Sequence, residues 1–343
     1  PSPCRQTPRL SLLGCRILSY LSAWVQGAGA QEFQLLQPQG AVLVSAGETL
    51  TLPCSVTGLS PAGPVKWFKG SGPTRQLVYE DKESFPRVTR VVHSDTDFTI
   101  RISDTRPEDA GTYRCVKFKK GLRADEEIGS GAGTAVSVSA RPSALSVSPP
   151  PSRAEPGTPV TFTCTSGGFS PRDITVTWLK NGAPLPAPQL RVLPEHESVS
   201  YSVSSTVGLC LSTGDALSQL TCQIEHSALA APLHGTYNIS HALRVPPRLQ
   251  VGSDPAGPVA RVHLRAEGFY PQGTSLSWLE NGKETDPGKL SRPTENPDGT
   301  FMLQSSLEVR ATEQRNPSVF TCRAVHDSQP PVSASATLRV SLP

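Results

Sequence analysis

The sequence predicts an all-β chain of three tandem two-sheet sandwiches, and three observations carry that prediction. First, Asp109, Gly111, Tyr113 and Cys115 occupy alternate positions, and alternate side chains of a strand share one face. Second, Cys54 is followed about 13 residues on by Trp67 and about 60 on by Cys115. That is the spacing of a disulfide joining two packed sheets, with an indole lying against it. Third, the same frame returns twice, as Cys164, Trp178 and Cys222 and then as Trp278 and Cys322. Composition agrees: 34 prolines and 28 glycines in 343 residues favour short strands joined by turns.

A tyrosine two residues before the second cysteine is the tyrosine corner of an immunoglobulin sandwich, its hydroxyl bonded to upstream backbone. The predicted order is variable-type, constant-type, constant-type. Other classes are disfavoured. Net charge is +3 with scattered basic residues, which does not make a nucleic-acid stripe. Eight cysteines, several at this spacing, indicate an oxidising compartment. The longest apolar run, near residues 17 to 25, is too short for a membrane helix. Seven histidines are spread over three sandwiches with no nucleophile elbow or metal set beside them, so neither an enzyme nor a cofactor site is expected.

Residues 1–30 read as most of a secretory signal, incomplete at its start because no initiator Met precedes it. Arg5, Arg9 and Arg16 supply the positive start, residues 17–25 the apolar core and Ala28-Gly-Ala30 the small-residue cleavage site. Cys4 and Cys15 leave with it.

Residues 31–140 are expected to form the variable-type domain. Glu32–Gln37 and Ala41–Val44 open it, and Gly47–Cys54 alternates as a half-buried strand does. The interval between Trp67 and Cys115 leaves room for two extra strands, Gln76–Tyr79 and Phe85–Val92. Arg87 and Asp109 are placed to close one end as an ion pair. Gly129-Ser-Gly-Ala-Gly-Thr134 permits a bulge in the last strand. As a phosphate loop it lacks the following Lys and helix.

Residues 141–246 form the second domain, with an Asn181-Gly182 turn after the Trp strand. Here Cys222-Gln-Ile-Glu-His226 replaces the tyrosine corner. One Cys and one His do not make a zinc site, so His226 reads as structural. Asn238-Ile-Ser240 is the glycosylation sequon, because Pro follows Asn296 and Asn316. Residues 247–343 repeat the second domain, except that Leu264 stands where the first cysteine belongs. The joins Ala140-Arg-Pro-Ser143 and Arg244-Val-Pro-Pro247 are short, proline-bearing and semi-rigid.

Disulfides are therefore expected at Cys54–Cys115 and Cys164–Cys222, with Cys210 and Cys322 unpaired or intermolecular. Val207, Leu209 and Leu211 share the core face, so Cys210 points outward. Cys322 points inward against Leu264 and Trp278. A missing bridge over a loop of about 59 residues costs roughly 2–5 kcal/mol, and burying Leu264 returns only about 1.5–3 kcal/mol. The third domain should be the least stable of the three.

The chain also resembles the signal-regulatory proteins of leukocytes. The residues that carry the resemblance are Gly63-Pro-Val-Lys-Trp-Phe68, Phe85-Pro-Arg-Val88, Asp109-Ala-Gly-Thr-Tyr113, Cys115-Val-Lys-Phe118, Ser130-Gly-Ala-Gly-Thr134, Gly168-Phe-Ser-Pro-Arg-Asp-Ile-Thr175, Glu197-Ser-Val-Ser-Tyr-Ser202 and Trp278-Leu-Glu-Asn-Gly282. The resemblance implies a leukocyte receptor whose first domain binds a cell-surface protein through loops at one end of the sandwich. Integrin-associated protein is the ligand of the inhibitory members. The loop residues it implies are Leu59, Ser60, Pro61, Ala62, Gly63, Lys82, Glu83, Lys117, Lys120, Gly121, Leu122, Asp125 and Glu127. Ala124 replaces an acidic residue the family carries in the last loop, the loop between Val88 and Phe98 is shorter than the inhibitory members', and Val92–Asp97 lacks their basic cluster. These departures imply weaker affinity for integrin-associated protein and a beta-like or divergent member. The resemblance further implies adhesion and phagocytosis as settings, the extracellular face of the plasma membrane as location, an activating adaptor where a membrane segment follows, and a homodimer as a candidate state. A secreted decoy binding the same ligand is the alternative. Antigen presentation would need a groove domain in place of the variable-type one.

Overall fold

A computed structural model describes residues 33–339, apart from 39, 59–60, 187, 196–198 and 255–257. The expected secretory signal, with Cys4 and Cys15, lies outside the described residues, as do Leu59 and Ser60. Strands of the first sandwich are β1 (Gln34–Leu36), β2 (Gly40–Ser45), β3 (Leu50–Leu52), β4 (Ser55–Thr57), β5 (Val65–Lys69), β6 (Gln76–Tyr79), β7 (Val88–Arg90), β8 (Ile100–Ile102), β9 (Gly111–Lys119), β10 (Glu126–Ser130) and β11 (Thr134–Ser139). One sheet runs β2-β11-β9-β5-β6, with β10 also on β9, and the other runs β3-β8-β7, with β1 on β4 beside it. Trp67, Tyr113 and the Cys54–Cys115 bridge lie between them, each about 1 % exposed or less. The buried indole N–H donates to the Phe98 carbonyl at 2.8 Å, which removes the cost of an unpaired buried donor.

Two strand expectations are corrected. The strand expected to run to Cys54 stops at Leu52 and resumes at Ser55. Pro53 has no N–H to give the ladder, so pairing cannot run through it. The second extra strand, expected over Phe85–Val92, is shorter than that. Its Val88–Arg90 core joins β8 in the opposite sheet, and Phe85 makes only an isolated bridge to Val88. A bulge is present, but at Ile128 of β10, just ahead of the glycine run expected to hold it, where the register slips between Glu127 and Gly129.

The tyrosine corner forms, with Tyr113 Oη donating to the Asp109 carbonyl at 2.7 Å. Arg87 closes the same end by donating to both Asp109 carboxylate oxygens, at 2.7 and 2.9 Å. Burial pushes the Asp109 carboxyl up, but the Arg87 bonds and the Arg106 N–H outweigh it, and the group titrates below its ordinary value. A depressed folded value stabilises the domain above the unfolded carboxylate value, about 3.9, and that stability is lost as pH falls through the folded value. Asp109→Asn should cost the first domain about 1–3 kcal/mol at pH 7. The gap from the native domain should close on acidification below about pH 4, as read by denaturant melts across pH.

The second sandwich contains β12 (Ser146–Ser148), β13 (Pro159–Phe169), β14 (Thr175–Lys180), β15 (Ala183–Pro184), β16 (Gln189–Glu195), β17 (Ser200–Cys210), β18 (Gln219–Glu225) and β19 (Leu233–Asn238). The third contains β20 (Arg248–Asp254), β21 (Val259–Phe269), β22 (Thr274–Glu280), β23 (Lys283–Glu284), β24 (Lys289–Leu290), β25 (Thr294–Glu295), β26 (Phe301–Arg310), β27 (Ser318–His326) and β28 (Val332–Leu338). Sheet orders match: β12-β13-β17-β16 against β15-β14-β18-β19, then β20-β21-β26-β24 against β23-β22-β27-β28. Asn181-Gly182 and Asn281-Gly282 both take positive φ, as a two-residue hairpin between right-twisted strands requires. Trp178 and Trp278 each donate to a buried serine, Ser205 and Ser305, at 3.0 Å. His226 and His326 each meet a proline carbonyl, Pro171 at 2.9 Å and Pro271 at 2.8 Å. The other His226 nitrogen accepts the Ala228 N–H at 3.1 Å, so both its ring nitrogens are engaged in structure.

Cys164 and Cys222 are bonded, with Cα atoms 6.5 Å apart. Cys322 is fully buried beside Leu264 and Trp278, and burial pushes its thiol up to about 12. Cys210 is exposed at the end of β17, where its thiol donates to the Gly157 carbonyl, and Val207 and Leu211 face the core. Each join adds a bridge to the next sandwich. Ala140 exchanges backbone bonds with Ser170, and Val245 with Tyr270. The second join is further tied by Arg153–Asp327 at 3.5 Å.

Candidate ligand-binding loops

β11 pairs with the start of β9, near Gly111, before the chain leaves for the second domain. The turn after Lys119 is therefore at the opposite end of the sandwich, away from the join. Residues 119 to 127 are all exposed, and Leu122 at the tip is fully exposed at 108 %. Lys119, Lys120 and Arg123 surround it in sequence, with Asp125 and Glu126 following. A Cβ on Gly121 would overlap the Ala124 carbonyl oxygen, so glycine is what lets the turn close there.

A second segment, Pro61–Pro64, is fastened alongside. The Phe118 N–H donates to the Pro64 carbonyl at 2.9 Å and the Lys120 N–H to the Ala62 carbonyl at 3.1 Å. Lys117 Nζ donates to the Gly63 carbonyl at 2.6 Å. A Cβ on Gly63 would overlap the Phe118 carbonyl oxygen. The two loops are thus joined by main-chain bonds that only a glycine at 63 permits. Lys82 and Glu83, exposed in the turn after β6, stand on a third loop. It is tied down where it leaves β6. Glu80 pairs with Lys66 of β5, and Asp81 pairs with Arg90 of β7 at 3.1 Å.

Two residues implied as ligand contacts are engaged elsewhere. Lys117 is 7 % exposed, and desolvation lowers its ammonium below the ordinary lysine value. It lies under the loops and acts as their pin. Strand alternation held that signal, since Tyr113 and Cys115 face inward and 117 shares their side. Glu127 accepts from Arg75 at 2.7 Å, and Arg75 also stacks over the Phe68 ring at 4.2 Å. Lys117→Met should leave the domain folded at a cost of about 1–2 kcal/mol. The Phe118 and Lys120 amides should then exchange faster with solvent, as read by hydrogen–deuterium exchange.

Asn238 is exposed at the end of β19. No group of three or more His, Cys, Asp or Glu able to hold a metal occurs among the described residues. No helix among them is long and apolar enough to cross a membrane.

Three tandem two-sheet sandwiches, the first with a tyrosine corner, make this an immunoglobulin-fold protein. The Immunoglobulin V-set domain profile matches residues 37–139, and the Immunoglobulin C1-set domain profile matches 145–229 and 264–329. The chain is 48 % identical to the bovine (Bos taurus) Tyrosine-protein phosphatase non-receptor type substrate 1, over 99 % of this chain and 69 % of that protein. It is 48 % identical to human (Homo sapiens) Signal-regulatory protein beta-1, over 92 % of this chain and 81 % of that protein. The mouse nectin-like molecule 4 ectodomain, also three immunoglobulin domains, aligns over 88 % of this chain and 97 % of its own at a TM-score of 0.50 and 17 % identity, a likeness of fold alone. The chain belongs to the signal-regulatory protein family and has the role of an extracellular immune receptor.

Proposed function

We propose that this chain recognises a protein on an opposing cell through the loop cluster of its first domain and so modulates adhesion and phagocytosis. One observation supports the reading most: Leu122 projects fully into solvent from a turn held by the Pro61–Pro64 segment, with Lys119, Lys120 and Arg123 beside it. An apolar tip among cations on a pre-ordered frame suits a protein surface with an acidic rim, because ordering the loop beforehand lowers the entropy cost of binding. Contacts fall to Pro61, Ala62, Gly63, Lys82, Glu83, Lys120, Gly121, Leu122 and Asp125, with Lys117 and Glu127 supporting from behind. Integrin-associated protein is the ligand proposed first. An activating adaptor is the signalling partner where a membrane segment follows.

The proposed limits are 1–30 for the secretory signal, 31–140 for the ligand-binding domain, and 141–246 and 247–343 for the two spacers. Asn238 carries glycan, and Cys210 is the candidate link of a homodimer. The test is adhesion of beads coated with residues 31–343 to paired cell lines with and without integrin-associated protein. Adhesion confined to the expressing line supports the reading, and equal adhesion to both lines removes that ligand.

A further inference from the structure

We propose that the outer face of the β20-β21-β26-β24 sheet, in the third domain, is a binding groove for a linear sulfated polysaccharide. A recess of about 930 Å³, open and polar, lies there. Arg261, His263 and Arg265 sit on alternate residues of β21 and line it, with Lys289 on the edge strand and Gln304 and Ser306 on β26. Small residues flank the imidazole between the two arginines, since Gly252 and Ser306 pair with His263 on its two sides. The imidazole leans over Gly252, where a Cβ would collide with it.

The second domain supplies an internal control. Its β13-β17-β16 sheet pairs Thr163 with Thr206, and Thr206 with Gln189, as the third pairs His263 with Ser306, and Ser306 with Lys289. Thr161, Thr163, Thr165, Gln189, Gly208 and Cys210 stand where the third domain has Arg261, His263, Arg265, Lys289, Glu308 and Arg310. The one cation moved the other way is Arg191, opposite Ser291. The same sheet folds without those charges, so folding does not require them.

Five permanent cations, Arg248, Arg261, Arg265, Lys289 and Arg310, share this face with three carboxylates, Asp254, Glu267 and Glu308. Glu308 bonds Arg261 at 3.0 Å and lies 3.8 Å from Lys289, and Glu267 pairs with Arg265. Asp254 lies 3.4 Å from His263. These pairs are exposed, and exposed pairs are weak and exchangeable, so a multivalent anion can displace them. Arg261 and Arg265, four residues apart on one strand, hold their charges about 13 Å apart, a spacing that suits a ligand carrying repeated charges of its own. A protein partner would want an aromatic or aliphatic anchor pocket, and a single-stranded nucleic acid would want stacking rings. The groove lining has no Phe, Tyr or Trp, and its one exposed large aliphatic side chain is Leu290, on the edge strand.

The test measures residues 31–343 over immobilised heparin by surface plasmon resonance across a salt series. The variant Arg261→Thr/Arg265→Thr/Lys289→Gln installs the second domain's own residues, and an unchanged melting curve confirms its fold. The expected result is saturable binding by the native chain and a loss of at least about tenfold in the variant, with the salt slope shallower by about two to three. Glu308→Gly, again the second domain's residue, should bind at least as tightly as the native chain. A variant of equal charge change outside the groove, Arg101→Thr/Lys283→Gln/Arg323→Thr, should stay within about twofold of native. Equal loss in that control, native-like binding by the groove variant, undiminished binding to desulfated heparin, or no binding in low salt each overturns the proposal. Groove-dependent capture by poly-glutamate with none by heparin would point to an acidic protein and overturn it likewise.

Discussion

Leu264→Cys should close the missing bridge to Cys322 and turn the least stable domain into one that melts well above its native form. The two positions match Cys164 and Cys222 of the second domain, whose Cα atoms stand 6.5 Å apart across the same pair of sheets. Leu264 is 1 % exposed and Cys322 fully buried in one core cluster with Trp278. In the chain-entropy description, closing a loop of about 59 residues contributes about 4 kcal/mol. Trimming Leu to Cys forfeits about 1–2 kcal/mol of burial, which leaves a net gain of about 2–3 kcal/mol. For a domain of this size that is roughly 10–20 °C in melting temperature. Calorimetry of the isolated domain should show the rise under oxidising conditions. With reductant the variant should fall below native, because the smaller side chain remains without its bond. An oxidised variant melting at or below native would contradict the account, as would a native third domain melting above the second.

Gly63→Val should disable the loop cluster while sparing the sandwich core. The added side chain would occupy space held by the Phe118 carbonyl oxygen, which is backbone and cannot rotate away. The Pro61–Pro64 segment would have to separate from β9, releasing the bonds from Phe118 and Lys120 and the Lys117 contact to the Gly63 carbonyl. The expected cost is about 2–4 kcal/mol of first-domain stability and at least tenfold in affinity for any ligand of these loops, about 1.4 kcal/mol or more. Ala62→Ser, on an exposed neighbour, is the control and should change neither. Unaltered exchange of the Phe118 and Lys120 amides in Gly63→Val would show that the two loops are not coupled through this contact.

Most of the architecture was legible because its strongest signals are local. Cys-Trp-Cys spacing, the Tyr113 corner and the Asn-Gly turns each fix backbone over a few residues, and the frame repeats. What escaped depended on pairing between distant segments. Phe85–Val92 has the composition of a strand, but composition does not say which sheet accepts it, and β8 does. Arg75 and Glu127 are far apart in sequence, and no period predicts their pairing across β9. Lys117 was within reach, since the alternation that places Tyr113 and Cys115 inward extends to it. So was the charged face of the third domain. Arg261, His263 and Arg265 stand where Thr161, Thr163 and Thr165 stand one repeat earlier, a contrast visible once the two repeats are laid side by side.

The most direct measurement of loop recognition is surface plasmon resonance of residues 31–140 over immobilised integrin-associated protein ectodomain, with Lys120→Ala/Leu122→Ala as control. Both changed side chains are exposed and outside the core, so the control should fold as the native domain does. The account predicts saturable binding by the native domain and at least a tenfold loss in the control, as expected when an exposed anchor and its neighbouring charge are removed. A correctly folded native domain that does not bind, or a control that binds as tightly, would contradict recognition of this ligand by these loops.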